Sequence, residues 1–280
     1  MSIIALKNHD DIEEYYSLVK SFLMKDEAEN NLPLGILERA RQEPSRPLDI
    51  MISLKVGTYL KLVGIRTGRN LVLVGEKDKA TILLDFLLKE ELRIDGVIGS
   101  SDLVRAFTQA VKEKLEIASI VEMHQGIYKL ESLGKAPSVK GRLVRARPAD
   151  IELLSEWVKQ FSLEIDLEFT QDPAVDFVTK SIKEESLFFW YDQESVSMAR
   201  TARPSENGIA INLVYTPSLF RGKGYATACV YELSRMMLQK YKFCTLYTDL
   251  TNKVSNHIYQ KIGYKKKAES MVASFDNWVV

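Results

Sequence analysis

The chain has 280 residues, and its 38 basic side chains balance 38 acidic ones. Hydrophobic residues make up 46% and charged residues 27%, which is typical of a globular protein and excludes a largely disordered chain. This length suits two domains better than one. No apolar run is long enough to span a bilayer, and the N-terminus lacks a basic stretch followed by an apolar core, so we expect a cytoplasmic protein without a membrane partner.

Cysteine and histidine are scarce. Two cysteines, Cys229 and Cys244, do not make a disulfide framework. The three histidines lie far apart in sequence and show no metal-ligand spacing. We therefore expect no metal cofactor.

Residues 133–141 (LGKAPSVKG) are rich in Gly, Pro and Ser and predict a linker. We place an N-terminal domain at 1–134 and a C-terminal domain at 141–280. In the C-terminal domain, Asp172-Pro173 predicts a helix start with an acidic N-cap, and Asn207-Gly208 predicts a tight turn. Hydrophobic spacing predicts strands at 143–146, 187–191, 195–203, 209–215, 243–248, 264–268 and 271–275, and helices opening at 148 and 172 and covering 225–240 and 254–262.

The N-terminal half shows a weaker version of the same rhythm. Its pattern predicts helices at 11–24, 33–42, 78–92 and 103–114, and strands at 59–66, 70–75, 96–98, 117–123 and 127–130. We interpret this half as a degenerate repeat of the C-terminal domain.

A glycine turn between a predicted strand and a predicted helix is the most informative motif. Residues 221–226 read Arg-Gly-Lys-Gly-Tyr-Ala. Two glycines let several N–H groups point into one cavity, and the helix start adds its own N–H groups and dipole, which suits a pyrophosphate. An ordinary turn is the alternative. A P-loop is excluded because Tyr225 follows Gly224, and a dinucleotide fingerprint is excluded because Thr227 replaces the third glycine.

Positive charge is concentrated around this motif. Residues 215–267 contain ten Lys or Arg and two acidic residues, a local net charge of +8. Such a field concentrates an anionic ligand. A solvated basic helix face explains the charge equally well. Nucleic acid is a minor alternative, because the chain lacks a recognisable nucleic-acid-binding module.

The motif resembles a known family. Residues 221–226 match the R/Q-x-x-G-x-G/A loop of GNAT acetyltransferases, and residues 246–264 resemble the second block of that family, N…(A/S)…LYxKxGF. The match covers about 142–276 in order of elements. It implies a GNAT-type α/β fold, with a mixed, mainly antiparallel sheet flanked by helices. The N-terminal half then forms a second GNAT-like domain without the coenzyme loop.

The resemblance implies an acyltransferase that moves an acetyl group from acetyl-CoA to an amine of a small molecule or protein by direct attack. The fourth strand of such a domain splays from the fifth, and the pantetheine arm lies in the gap. The implied coenzyme-binding residues are the strand residues Leu213, Val214 and Tyr215, the turn residues Arg221, Gly222, Lys223, Gly224, Tyr225, Ala226 and Thr227, and the amides of Asn252 and, more weakly, Asn256.

Tyr259 occupies the position of the family's general acid, and a phenol is protonated at pH 7. An ordinary aromatic packed on the sheet is the alternative. The fourth strand offers Asn212 where many GNAT enzymes place a glutamate. Asp249 is a candidate base acting through water, although we favour a role in capping the turn. Three acids in the loop between the first two helices attract a cationic amine or are simply solvated: Glu164, Asp166 and Glu168.

A second class of function stays open, a non-catalytic acyl-CoA-binding regulatory or interaction module. The missing strand acid favours this module slightly, whereas Tyr259 and Asn252 favour the enzyme more. The acceptor and the acyl-chain preference are not encoded in the motifs. The N-terminal half shapes the acceptor pocket, mediates formation of a homodimer or supports the second domain, and the sequence does not choose among these roles.

Overall fold

One order of elements occurs twice in the computed structural model, which describes residues 3–45, 47–165, 170–275 and 278. The first pass consists of β1 (Ile4–Asn8), α1 (Ile12–Leu23), α2 (Asn31–Gln42), β2 (Ile50–Val56), β3 (Tyr59–Thr67), β4 (Asn70–Gly75), α3 (Ala80–Lys89), β5 (Gly96–Ser100), α4 (Ser101–Leu115) and β6 (Ser119–Leu130). The second pass consists of β7 (Arg142–Arg145), α5 (Ile151–Glu164), α6 (Gln171–Lys183), β8 (Leu187–Asp192), β9 (Glu194–Ala202), β10 (Gly208–Tyr215), α7 (Tyr225–Met237), β11 (Phe243–Asp249), α8 (Lys253–Ile262) and β12 (Lys265–Phe275).

The chain forms two compact units that do not coincide with the halves of the sequence. The first unit comprises the described residues of 1–127, 248–251 and 267–280, and the second comprises those of 128–247 and 252–266. The division differs from the boundary we placed in the 133–141 linker because each half contributes part of its last strand to the other unit. Most of β12 belongs to the first unit, and β6 passes into the second unit after residue 127.

In the first unit the strand order is β1-β2-β3-β4-β5-β12. The β4–β5 pair is parallel, and the other neighbours are antiparallel. Helices α3 and α4 pack on one face, around Leu83 and Phe107, and α1 and α2 pack on the other, around Tyr15 and Leu37. The buried Tyr15 hydroxyl donates to the carbonyls of Ile52 (2.9 Å) and Gly64 (3.1 Å), and so ties α1 to the sheet.

In the second unit the strand order is β11-β10-β9-β8-β7. The β10–β11 pair is parallel, and β7 to β10 are antiparallel. Successive side chains of a strand point to opposite faces, and β8 follows this rule. Phe188 and Trp190 pack with α7 and α8, whereas Leu187 and Phe189 pack with α5 and α6.

The structure departs from the predicted elements at several places. Strands β1 and β2 were not predicted. The strands predicted at 117–123 and 127–130 form the single strand β6, and those predicted at 264–268 and 271–275 form β12. The N-cap of α6 is Thr170 and not Asp172, which lies in the first turn of that helix.

The Asn207-Gly208 pair does not form the predicted tight turn. A five-residue loop, 203–207, joins β9 to β10, and Gly208 is the first residue of β10. Its carbonyl accepts hydrogen bonds from the N–H (2.8 Å) and hydroxyl (3.1 Å) of Ser205. Glycine stands there because a β-carbon would overlap the Phe243 ring. The glycine is therefore required by packing between β10 and β11.

Among the described residues, no helix combines the length and the apolar character that crossing a bilayer requires.

We expect Gly208→Ala to destabilise the protein by about 1–3 kcal/mol, because an added methyl group in a filled space forces a backbone or ring shift. Urea denaturation measures this loss. Gly64→Ala is the control, since a β-carbon there meets only ordinary contacts of 3.4–3.6 Å. The double variant Gly208→Ala/Phe243→Leu relieves the overlap and is expected to lose less stability than the two single losses combined. Full additivity would contradict this account of the glycine.

Candidate functional site at the start of helix α7

Strands β10 and β11 stay paired for only three residues. Residues 208–210 pair with 243–245, although both strands continue beyond this point. On its other side, β10 pairs Asn212 with Arg200 and Tyr215 with Met198, so two residues of β10 face one of β9. This irregularity is a β-bulge, and Leu213 within it has a φ of 51°. The bulge turns β10 out of its ladder and opens the sheet, as the family resemblance implied.

The glycine turn is exposed and begins α7 directly. Gly222 has a φ of 77° and Gly224, the N-cap of α7, a φ of 81°, a conformation that favours glycine. Within the described part of the chain, no acceptor contacts the N–H groups of Gly222, Lys223 or Gly224. The first N–H groups of a helix also have no intrahelical partner. The turn and the start of α7 thus form a cradle of N–H groups, which we call the 221–227 cradle.

Arg221 braces this cradle. Its Nε donates to the Thr216 carbonyl (2.8 Å), and its guanidinium pairs with Glu164, the last residue of α5, and lies 5.7 Å from the centre of the Tyr215 ring. The Lys223 ammonium lies 5.7 Å from the Phe220 ring centre and forms no ion pair with a described residue. Lys223 is therefore the cation of the turn that is open to an anion.

Other cradle residues hold the turn in place. The Tyr225 hydroxyl donates to Asp192 (2.7 Å), and this hydrogen bond raises the pKa of Tyr225. Thr227 is buried, and Ala226 is half-buried. A β-carbon on Gly224 would meet Val139 at 3.1 Å. Sequence reasoning missed Val139, because it lies in the linker and carries no signal beyond that of a boundary.

The two asparagines of α8 have different roles. Asn252 is the N-cap, and its Oδ1 accepts from the Ser255 N–H (3.0 Å), so that its Nδ2 can still donate to a ligand. Asn256 accepts from the Tyr128 hydroxyl (2.8 Å) and donates to the Asn252 carbonyl (2.8 Å). Both ends of the Asn256 amide therefore form hydrogen bonds within the protein, and these stabilise the start of α8.

Tyr259 lies in the core of the second unit. It is 8% exposed, and its ring centre is 6.1 Å from that of Tyr264. Burial raises the pKa of Tyr259 to about 12, and a hydrogen bond with Ser255 opposes the rise. The phenol is thus protonated at neutral pH. Both interpretations of the sequence, a general acid and a packed aromatic, are compatible with this position.

The candidate acidic residues differ in their hydrogen-bond and ion-pair partners. Asp249 accepts from the N–H and the hydroxyl of Thr251, each at 2.7 Å, and so closes the turn after β11. Glu164 is held by Arg221, whereas Asp166 and Glu168 lie outside the described residues.

Asn212 is the polar side chain that β10 offers just before the bulge. Its Oδ1 is buried, and no donor in the described ranges reaches it. A buried acceptor without a donor costs about 1–3 kcal/mol.

The two cysteines are both buried. Burial raises the pKa of Cys244 to about 12 and raises that of Cys229 as well. Since the reactive form of cysteine is the thiolate, neither thiol is prepared for covalent catalysis.

One known protein family matches the part of the chain that contains this candidate site. The model of the FR47-like protein family matches residues 191–273, which include the cradle, Asn252 and Tyr259. A search of curated proteins found no significant match to this sequence.

Solved structures share the fold over nearly the whole chain. A GNAT-family acetyltransferase from Colwellia psychrerythraea superposes with a TM-score of 0.62 at 11% identity, covering 98% of this chain and 100% of the other. A GCN5-related N-acetyltransferase from Sphaerobacter thermophilus gives 0.67 at 12% identity, with coverages of 97% and 95%. A tandem GNAT protein from the clavulanic acid biosynthesis pathway gives 0.60 at 8% identity, with coverages of 99% and 100%. The chain therefore has the fold of two-domain GNAT proteins: its order of elements occurs twice, and the FR47-like match lies in the second copy.

Proposed function

We propose that this protein is an N-acyltransferase that moves an acetyl group from acetyl-CoA to an amine, with the coenzyme bound at the 221–227 cradle. The exposed turn with two positive-φ glycines at the start of α7 carries the proposal. Main-chain N–H groups with no internal acceptor, at the positive end of a helix dipole, suit a pyrophosphate. Lys223 and the local net charge of +8 in residues 215–267 add attraction for it.

The pantetheine arm extends along the bulged part of β10. An extended ligand adds to a sheet through main-chain hydrogen bonds, and the parallel ladder to β11 ends before the bulge. The Tyr215 carbonyl already accepts from the Ser197 hydroxyl (3.1 Å), so Leu213 and Val214 supply the main-chain partners. The Asn252 Nδ2 supplies a further donor to the arm.

The chemical step is direct attack. The neutral amine nitrogen forms a bond to the thioester carbon, the carbon–sulfur bond breaks, and the thiolate of CoA leaves. A main-chain N–H of the bulge stabilises the negative charge that develops on the carbonyl oxygen. Tyr259 donates its proton to the thiolate and then regains a proton from solvent, to which the amine has lost its own. We assign no proton transfer to Asp249, because its carboxylate holds the Thr251 turn.

The second candidate is an acyl-CoA-binding module without turnover. Two observations favour it: Asn212 stands where a strand glutamate is common in GNAT enzymes, and Tyr259 is buried in the core. Both candidates use the same cradle. Acetyl-CoA consumption in the presence of amines separates them.

We expect Gly224→Glu to abolish stabilisation by acetyl-CoA, because the new carboxylate would lie where the pyrophosphate binds. A ligand at one hundred times its Kd stabilises the folded state by about 2.7 kcal/mol, which thermal unfolding with and without acetyl-CoA detects. The matched control is Gly68→Glu, at an exposed glycine with a similar φ of 76° and open space around it. This control is expected to keep the full shift. An unchanged shift in Gly224→Glu would refute the placement of the cradle.

We expect Tyr259→Phe to lower kcat by about 10²–10⁴-fold while acetyl-CoA binding is retained, because a general acid contributes in that range. Release of CoA is followed with a thiol reagent under saturating acetyl-CoA. Tyr241→Phe, at a half-buried tyrosine just after α7, is the control and is expected to keep its activity. Equal rates in Tyr259→Phe and wild type would remove the phenol from the mechanism.

We expect Tyr259 to ionise in the native protein only near pH 12, whereas an unfolded tyrosine ionises near pH 10. Because folding raises this pKa, the stabilising effect of the buried neutral phenol is complete below pH 10 and is lost as the pH rises from about 10 to 12. The measurement is the ultraviolet difference titration of wild type minus Tyr259→Phe, with the urea-unfolded pair as reference. A native difference step near pH 10 would show that the phenol is solvated.

A further inference from the structure

The linker of residues 133–141 is held in place by hydrogen bonds at both of its ends. Near its start, the Gly134 N–H donates to the carbonyl of Ile262, the last residue of α8 (2.7 Å). Near its end, the Lys140 carbonyl accepts from the Trp190 indole of β8 (2.8 Å). These partners all belong to the second unit. The predicted linker is therefore a built part of the unit that carries the cradle.

The end of the linker lies against the 221–227 cradle. Val139 is so close to Gly224 that a β-carbon on the glycine would meet its side chain at 3.1 Å. Two residues later, Gly141 has a φ of 116°, and a β-carbon there would overlap the Trp190 ring, so only glycine fits this bend. Lys140 lies between these two fixed positions and is therefore held beside the start of α7.

A second set of contacts leads from β7 back to the cradle. Arg142, the first residue of β7, pairs with Tyr191 of β8, and its guanidinium lies 5.4 Å from the centre of the Tyr191 ring. The next residue of β8, Asp192, accepts from the hydroxyl of Tyr225, the first residue of α7 (2.7 Å). Contacts from the linker and from β8 thus connect both Lys140 and Arg142 to the cradle.

Lys140 and Arg142 are exposed cations, and neither forms an ion pair with a described residue. The linker itself contains no acidic residue. The acids that act on the start of α7 are Asp192 and Glu194 of the β8–β9 hairpin, and they reduce the positive potential there without pairing with either cation. Together with Lys223 of the turn, the two cations surround the cradle with positive charge that an anionic ligand can neutralise.

Coenzyme A carries a phosphate on the 3′ oxygen of its ribose in addition to its pyrophosphate. When the pyrophosphate lies on the N–H groups of the cradle, the ribose phosphate lies one nucleoside away and meets whatever borders the cradle. Guanidinium groups bind phosphate through paired hydrogen bonds, and ammonium groups bind it as point charges. We propose that Lys140 and Arg142 bind the ribose 3′-phosphate and so select the complete coenzyme as acyl donor. This inference rests on the proposed function, in which acetyl-CoA binds at the cradle.

The test compares acetyl-CoA with acetyl-dephospho-CoA, which lacks only the 3′-phosphate. The Kd of each ligand for the full chain is measured by isothermal titration calorimetry. We expect acetyl-CoA to bind at least about tenfold more tightly, because the second ligand lacks the charge-assisted hydrogen bonds to the phosphate. The ratio of the two Kd values is expected to fall as the salt concentration rises, since the cations are exposed. Equal Kd values in wild type would overturn the inference.

A double variant locates the preference. Lys140→Gln/Arg142→Gln is expected to raise the Kd of acetyl-CoA about tenfold or more and to change that of acetyl-dephospho-CoA little, so that the preference disappears. The matched control, Lys135→Gln/Arg145→Gln, removes the same charge from the linker and from β7. Lys135 follows Gly134, which is bonded at the far end of α8, and Arg145 is paired with Glu185 (2.8 Å). The control is expected to keep the preference. A preference that persists in the first double variant, or that the control also loses, would reject this site.

Failure of this inference and failure of the proposed function give different results. Wild type that binds neither ligand would refute the cradle and this inference with it, whereas equal binding of both ligands would refute only the ribose phosphate site. If the double variant does not fold, Lys140→Gln and Arg142→Lys are tested singly. The second keeps the charge without the paired donors, and each is expected to lose part of the preference. An unchanged ratio of Kd values in both single variants would overturn the inference.

Discussion

The site depends on the early end of the parallel ladder between β10 and β11. Three residue pairs hold these strands together, and the bulge at Leu213 then turns β10 away. Gly208 allows the ladder to start, because only a residue without a β-carbon fits under the Phe243 ring. The main-chain groups next to Leu213 lie beyond the end of the ladder to β11, where we propose that an extended ligand adds to the sheet. Just before the bulge, the Asn212 Oδ1 is buried, and no donor among the described residues reaches it.

The cradle lies at the start of α7, and we propose that it recognises the charge of the coenzyme. Its glycines adopt a backbone conformation that disfavours side chains, and α7 begins immediately after them. Arg221, the first residue of the family motif, is engaged by Glu164 and by the Thr216 carbonyl. It therefore orders the turn, while Lys223 and the N–H groups face solvent. Arg221 thus braces the turn, and Lys223 is the cation that we propose attracts the pyrophosphate.

The two halves of the sequence share an order of elements, but neither half forms a compact unit by itself. Strand β12 pairs with β5 of the N-terminal half. In the second unit, the Thr245 hydroxyl donates to the carbonyl of Tyr128 in β6 (2.9 Å). Tyr128 also donates to Asn256 at the start of α8. A residue from the N-terminal half of the sequence thus helps to position the helix that carries Tyr259.

The sequence by itself determined the repeated order of elements, the glycine turn with its helix and the GNAT-type fold, because periodicity and turn chemistry are local properties of the chain. It also predicted that the helix of 254–262 ends at 262, and the left-handed C-cap at Gly263, with a φ of 116°, confirms this end of α8. Only the tertiary structure decided that the end of β6 and most of β12 belong to the other unit, and that Asn212 pairs with Arg200. It also decided the contact of Val139 with the cradle and the hydrogen bonds of Arg221 and Asn256. These features depend on contacts between residues far apart in sequence, and no local pattern encodes which partners will meet.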